Sequence, residues 1–312
     1  MLLASLLVLM QTNPPAADAA TPRPAIARVR ERRRGAGLER RGDRSMAVAG
    51  ATRMSYGASE AQRILLWPAS RTVSASTRPP LAVYVHGGAW QMGNPERVSD
   101  KPAFFNGQGW AFASIGYRYL PEAPVETQAA DVGAALRHLR SEAAARGYDP
   151  DRILLMGHSA GAHLAALVAT DPQYAGDAFA AIRGVIPIDG AGYDVPLQMR
   201  LAGRFMLERT YRPAFGDDVA RQRALSPITH VGGRDAPDWL LLFVTARDDA
   251  RIQSDNLASA LARNGARAQS LGVESGNREM RAHMAINVEF GTSGYSANDA
   301  VLALMRRIES AQ

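Results

Sequence analysis

The stretch from Arg152 to Ala169 constrains the fold more than any other. Residues 152–156, Arg-Ile-Leu-Leu-Met, form a short apolar run of strand character, and residues 160–169 are small and apolar at helical density. Between them stands Gly157-His158-Ser159-Ala160-Gly161. A strand that becomes a helix within one glycine-flanked step belongs to an alternating chain, with parallel strands and helices on both faces. The same rhythm recurs along the chain. Residues 64–67, 81–85, 111–115, 184–188, 239–244 and 268–273 read as strands, while Val132, Ala135, Leu136 and Leu139 mark a helix after Pro124. Further helices are expected over 252–263 and 301–308. The expectation is an α/β fold with a mainly parallel central sheet flanked by helices. Residues 193–228 break the rhythm and are expected to form a small insertion above the sheet.

The Gly157–Gly161 segment fits G-x-S-x-G. A serine hydroxyl is a weak nucleophile unless a sharp turn lifts it clear of the sheet, and flanking glycines let the neighbouring backbone approach where a Cβ would clash. The plain alternative is a glycine-rich turn with an incidental serine. A second feature separates the two. His86-Gly87-Gly88-Ala89-Trp90 follows the strand ending at Val85, at the carboxyl end of the sheet, where such folds place their sites. Attack on a carbonyl generates an oxyanion, and backbone N–H groups can stabilise it. Gly88, Ala89 and Ala160 are the expected donors, with His86 bracing the loop rather than moving protons.

In the α/β-hydrolase arrangement the chain order is serine, acid, histidine. The histidines are His86, His138, His158, His163, His230 and His283. With the acid placed beyond strand 239–244, only His283 follows it, so His283 is the expected base, carried on a loop. Asp249 is the preferred acid; Asp248 competes and is otherwise expected to cap the next helix. His163 reads as a packing residue. Trp90, Met199, Phe205 and Met206 are the expected pocket residues, and Arg278 and Arg281 read as solvated arginines near the base.

These residues resemble the carboxylesterase branch of the α/β hydrolases. The chain is similar to bacterial esterase/lipase proteins that include BD-FAE-like feruloyl and xylan-deacetylating esterases and kynurenine formamidase-like enzymes. The resemblance spans roughly residues 55–310 and extends to Tyr117-Arg118-Tyr119-Leu120, Asp131-Val132, Tyr148-Asp149-Pro150-Asp151-Arg152 and Ser226-Pro227-Ile228. There are two departures. Ala246 takes the glycine position of the acid loop, and Ala89 that of the third oxyanion-loop glycine. The resemblance implies a Ser159–His283–Asp249 triad that cleaves carboxylic esters of small or medium acyl groups through an acyl-enzyme, with no metal or organic cofactor. An amide-type hydrolase, arylformamidase-like or a small peptidase, is the alternative within enzymes; a non-catalytic binding protein on the same scaffold is the alternative outside them.

Composition narrows the remaining classes. The chain has 312 residues and no cysteine, so disulfides, thiolate metal sites and a cysteine nucleophile are excluded. Nine arginines against three acids over residues 23–44 account for the whole net charge of +6. The rest is formally neutral, which argues against a nucleic-acid groove. Residues 1–10 are apolar but too short for a membrane span, and Ala17-Asp18-Ala19 has the form of a cleavage site. Export to the periplasm or outside is therefore expected, with a cytoplasmic protein as the alternative. Residues 1–45 read as a signal-like segment and Arg-rich leader, and 46–312 as one catalytic domain. Oligomeric state leaves no trace in the sequence.

Overall fold

The computed structural model describes residues 49–69, 78–274 and 279–310. The segment expected as a leader lies outside these residues, as does Arg278. An eight-stranded sheet runs in the order β1-β2-β4-β3-β5-β6-β7-β8. Its strands are β1 (Thr52–Ser55), β2 (Arg63–Trp67), β3 (Leu81–Val85), β4 (Ala111–Ile115), β5 (Ile153–His158), β6 (Ile182–Ile188), β7 (Asp238–Val244) and β8 (Arg267–Val273). β2 pairs antiparallel with β1 and β4, and every other pairing is parallel. β1 was not expected. Its Thr-Arg-Met-Ser sequence is largely exposed at the sheet edge, so it lacks the apolar run that marks the inner strands.

Alternation along each strand splits the core into two faces. Leu81, Val83 and Val85 of β3 point to one side, with α2 (Val125–Arg146), α3 (Ala160–Thr170) and α5 (Asp248–Arg263) packed there through Leu136, Leu164 and Leu257. Ala82 and Tyr84 point to the other, under α1 (Lys101–Gly107), α6 (Glu279–Val288) and α7 (Asn298–Ser310). α2 stops at Gly147, whose φ of 79° takes the left-handed conformation that ends helices. Residues 193–228 form α4 (Val195–Leu201), capped by Asp194 accepting from Leu197 N–H at 2.9 Å, and a series of short helical turns. Among the described residues no helix is long and apolar enough to cross a membrane.

Candidate active site

Ser159 sits between β5 and α3 with φ 56° and ψ −120°, a conformation costly for a residue with a side chain. Close packing at the two glycines holds it there. A Cβ on Gly157 would lie 2.2 Å from Gly161 O, and one on Gly161 would lie 2.2 Å from Val85 O. Neither position tolerates a side chain while α3 stays this close to the ends of β3 and β5. Ser159 N–H donates to Ile188 O at 3.0 Å, tying the turn to β6.

The loop after β3 is equally constrained. Ala89 and Trp90 both have positive φ, 55° and 59°, and Gly88 O accepts from the N–H groups of Gln91 and Met92 at 3.0 and 3.1 Å. Tyr117 Oη donates to His86 O at 2.9 Å, and Gln128 Nε2 donates to Trp90 O at 2.9 Å, so both ends of the loop are pinned. The His86 ring stacks on Tyr117 and its Nδ1 donates to Gly87 O at 2.9 Å, a bracing position. The N–H groups of Gly88, Ala89 and Ala160 have no acceptor among the described residues.

His283 lies on α6, not on a loop as expected. Its Nδ1 is 2.5 Å from Asp189 Oδ2. Asp189 follows β6 directly, has φ 47° and is buried; its Oδ1 accepts from Val244 N–H at 3.0 Å. The expected acid is therefore displaced. Asp249 does not meet His283, because its carboxylate is taken by Arg247 Nη2 at 3.0 Å and Gln198 Nε2 at 3.1 Å. Asp248 is exposed in the first turn of α5 and pairs with Arg251 at 3.2 Å. Chain order of serine, acid and histidine still holds with Asp189. Its signal in the sequence is a carboxylate at the end of an apolar strand that neighbours the strand before Ser159.

Residues 71–179 match the BD-FAE family model. Among curated relatives, esterase LipQ of Mycobacterium tuberculosis is 32% identical over 53% of this chain and 41% of its own. Esterase LipC of the same organism is 30% identical over 61% and 49%, respectively. The chain spans less than half the length of these relatives. Among solved structures, esterase B from Lactobacillus Rhamnosis (HN001) superposes with TM-score 0.65 at 21% identity, covering 91% of this chain and 95% of that one. A truncated carbohydrate esterase from gut microbiota gives TM-score 0.66 at 21% identity, covering 83% and 97%. The chain has the α/β-hydrolase fold. The likeness to esterases implied by the motifs is thus borne out.

On this fold, Ser159 and His283 line one cavity of about 940 Å³, together with Gly88, Ala89, Trp90 and Ala160. Ser159 Oγ has no hydrogen-bond partner among the described residues, and such catalytic contacts commonly tighten only around a substrate. Of the expected pocket residues, Trp90 and Met206 line the cavity. Met199 does not; it packs against the core. Nor does Phe205, which is 69% exposed beneath the Arg209 guanidinium. Leu201 at the end of α4, Ala202 just after it and the buried Tyr211 supply the apolar wall instead. Arg281 is exposed and outside the lining, as its solvated reading implied.

Three buried histidines frame the site in the neutral state. Burial pushes His86 and His163 down to about 4, and His158 well below its ordinary value. His158 Nε2 donates to His283 O at 2.8 Å, so the residue before Ser159 holds the backbone of His283. His163 accepts from Trp90 Nε1 at 3.3 Å and donates to Leu225 O at 2.8 Å, joining the loop after β3 to the insertion. For Asp189 burial alone acts upward, but the His283 hydrogen bond and the Arg247 charge outweigh it and hold the carboxyl at about 2. Lys101 is fully buried below α6, donates to Asn287 O at 2.5 Å, and is pushed down to about 7 by burial.

Proposed function

We propose that the protein is a serine hydrolase cleaving carboxylic esters of small or medium acyl groups, with Ser159 as nucleophile, His283 as base and Asp189 as acid. The observation that carries this reading is the Asp189–His283 pair beside a serine held at positive φ on the same cavity. Asp189 accepts a hydrogen bond from His283 Nδ1–H and fixes the tautomer, leaving Nε2 free to receive the Ser159 proton as Oγ attacks the substrate carbonyl. The N–H groups of Gly88, Ala89 and Ala160 receive the oxyanion, a contribution of about 3 kcal/mol per donor in hydrolases of this chemistry. Collapse expels the alcohol, which takes the proton from His283, and water then repeats the sequence on the acyl-enzyme.

Curated relatives named as esterases support an ester over an amide substrate, and the apolar wall of Trp90, Leu201, Met206 and Tyr211 suits an acyl chain. Labelling with a fluorophosphonate tests the nucleophile, and comparing a short p-nitrophenyl ester with an N-formyl aromatic amine tests the bond cleaved. An adduct on Ser159 and preference for the ester are expected. Folded protein that gives no Ser159 adduct contradicts the reading. We further propose that the protein is exported, on the strength of the apolar start alone; sequencing the mature N-terminus after expression in a bacterial host tests this, and an intact residue 1 contradicts it.

A further inference from the structure

The acid of the site has a second partner that the proposed mechanism does not use. Arg247 Nη1 lies 2.7 Å from Asp189 Oδ2, and its Nη2 lies 3.0 Å from Asp249 Oδ2. The guanidinium is 14% exposed and lines the cavity. Because Nη1 and His283 Nδ1 converge on the same carboxylate oxygen, they stand 2.9 Å apart. With the Nδ1 proton directed at Asp189, what acts between guanidinium and ring is a fixed positive charge beside an imidazole that becomes positive when it works. The row then continues into the insertion, since Asp249 Oδ2 also accepts from Gln198 Nε2 of α4, a residue with no solvent exposure.

An Asp–His pair left to itself favours the imidazolium, because the carboxylate attracts the extra proton. A guanidinium on that same oxygen offsets the attraction. The other groups facing His283 do not substitute for it. His158 of β5 is neutral, and Tyr193, Tyr211 and Tyr295 are hydroxyls kept protonated by burial. Lys101 of α1 binds Asn287 O and lies over the Tyr84 and Phe290 rings. Arg97 lines the cavity without contacting the ring, and Arg281 of α6 itself is exposed.

We propose that Arg247 is a positioning residue that holds Asp189 against His283 and extends the working range of this base to lower pH, an inference that rests on the triad reading above. Asp249 and Gln198 in turn fix the guanidinium, so that the insertion helix α4 is coupled to the acid.

The test is the pH profile of kcat/KM on p-nitrophenyl acetate for the full chain and its R247Q, R247K, D249N and D189N variants. For R247Q the acid limb moves to higher pH by about one unit, the size of shift a close charge commonly produces. D249N removes a negative charge and moves the limb the other way. R247K keeps the charge but loses the two-pronged geometry, so the limb stays while kcat falls several-fold. A lower plateau for R247Q with an unmoved acid limb reduces Arg247 to a structural part and overturns the inference. If R247Q does not fold, D249N decides: an acid limb unmoved or shifted upward overturns it as well. D189N separates the two levels, since full activity there removes the triad reading itself, whereas an inactive D189N beside an unmoved R247Q limb removes only the role given to Arg247.

Discussion

His283 Nδ1 meets Asp189 Oδ2 at 2.5 Å, across the carboxyl ends of the strands and 94 residues apart in sequence. The pair joins α6 to the end of β6, and β6 is hydrogen-bonded to the strand that carries Ser159. His283 and Ser159 are thereby set by the ends of two paired strands. The Asp189 carboxylate is held from three directions, by Val244 N–H, Arg247 and His283.

The elbow depends on the absence of a side chain at Gly161. A Cβ there would stand 2.2 Å from Val85 O and 2.5 Å from His86 O, both backbone atoms that cannot swing away. Gly161→Ala is expected to lower stability by about 2 kcal/mol through overpacking, and to lower kcat because the turn at Ser159 opens. Thermal unfolding and steady-state kinetics check both. Unchanged values for both measurements contradict the packing account.

Ala89 carries a β-carbon at φ 55°. Glycine adopts that conformation without the steric penalty, and the gain of about 1 kcal/mol or less is offset in part by the larger entropy of its unfolded chain. Ala89→Gly is therefore expected to keep or slightly raise stability while retaining kcat within a few-fold, because the N–H is unchanged. A loss of a hundredfold or more in kcat would show that the methyl group itself shapes the oxyanion loop.

Lys101 gives a pH dependence of stability. Its ammonium group titrates near 7 in the folded protein and near 10.5 in the unfolded chain. Between these values the unfolded state binds more protons, so stability rises with pH across that window. Lys101→Met removes the linkage. Urea unfolding at pH 7, 8.5 and 10 is expected to show a flatter dependence for the variant than for the parent protein, and equal slopes contradict the account.

Much of the fold was legible because the inner strands are continuous apolar runs. Residues 81–85 and 111–115 were bounded in the sequence as they stand in the sheet. β1 was not, since an exposed edge strand carries no such run, and α6 was not, since Glu279–Val288 shows no sustained apolar stripe. At the site, chain order singled out His283 and the glycines singled out the loop after β3, and both line the cavity with Ser159. Asp189, the carboxylate that meets His283, was not singled out because a partner for the histidine was sought after β7, where Asp248 and Asp249 stand. Only side-chain packing reveals that Arg247 and Gln198 occupy Asp249. Met199 and Phe205 were misplaced for a related reason: short helical turns lack the regular periodicity that would have told the inward face from the outward one.

The most direct measurement of the central claim is kcat/KM on a short p-nitrophenyl ester for D189N against D249N, each checked for an intact fold by circular dichroism. If Asp189 is the partner of His283, D189N loses about 10⁴-fold, as removal of the triad carboxylate does in serine proteases, while D249N retains activity within about tenfold. The reverse order, a crippled D249N beside an active D189N, would contradict the account.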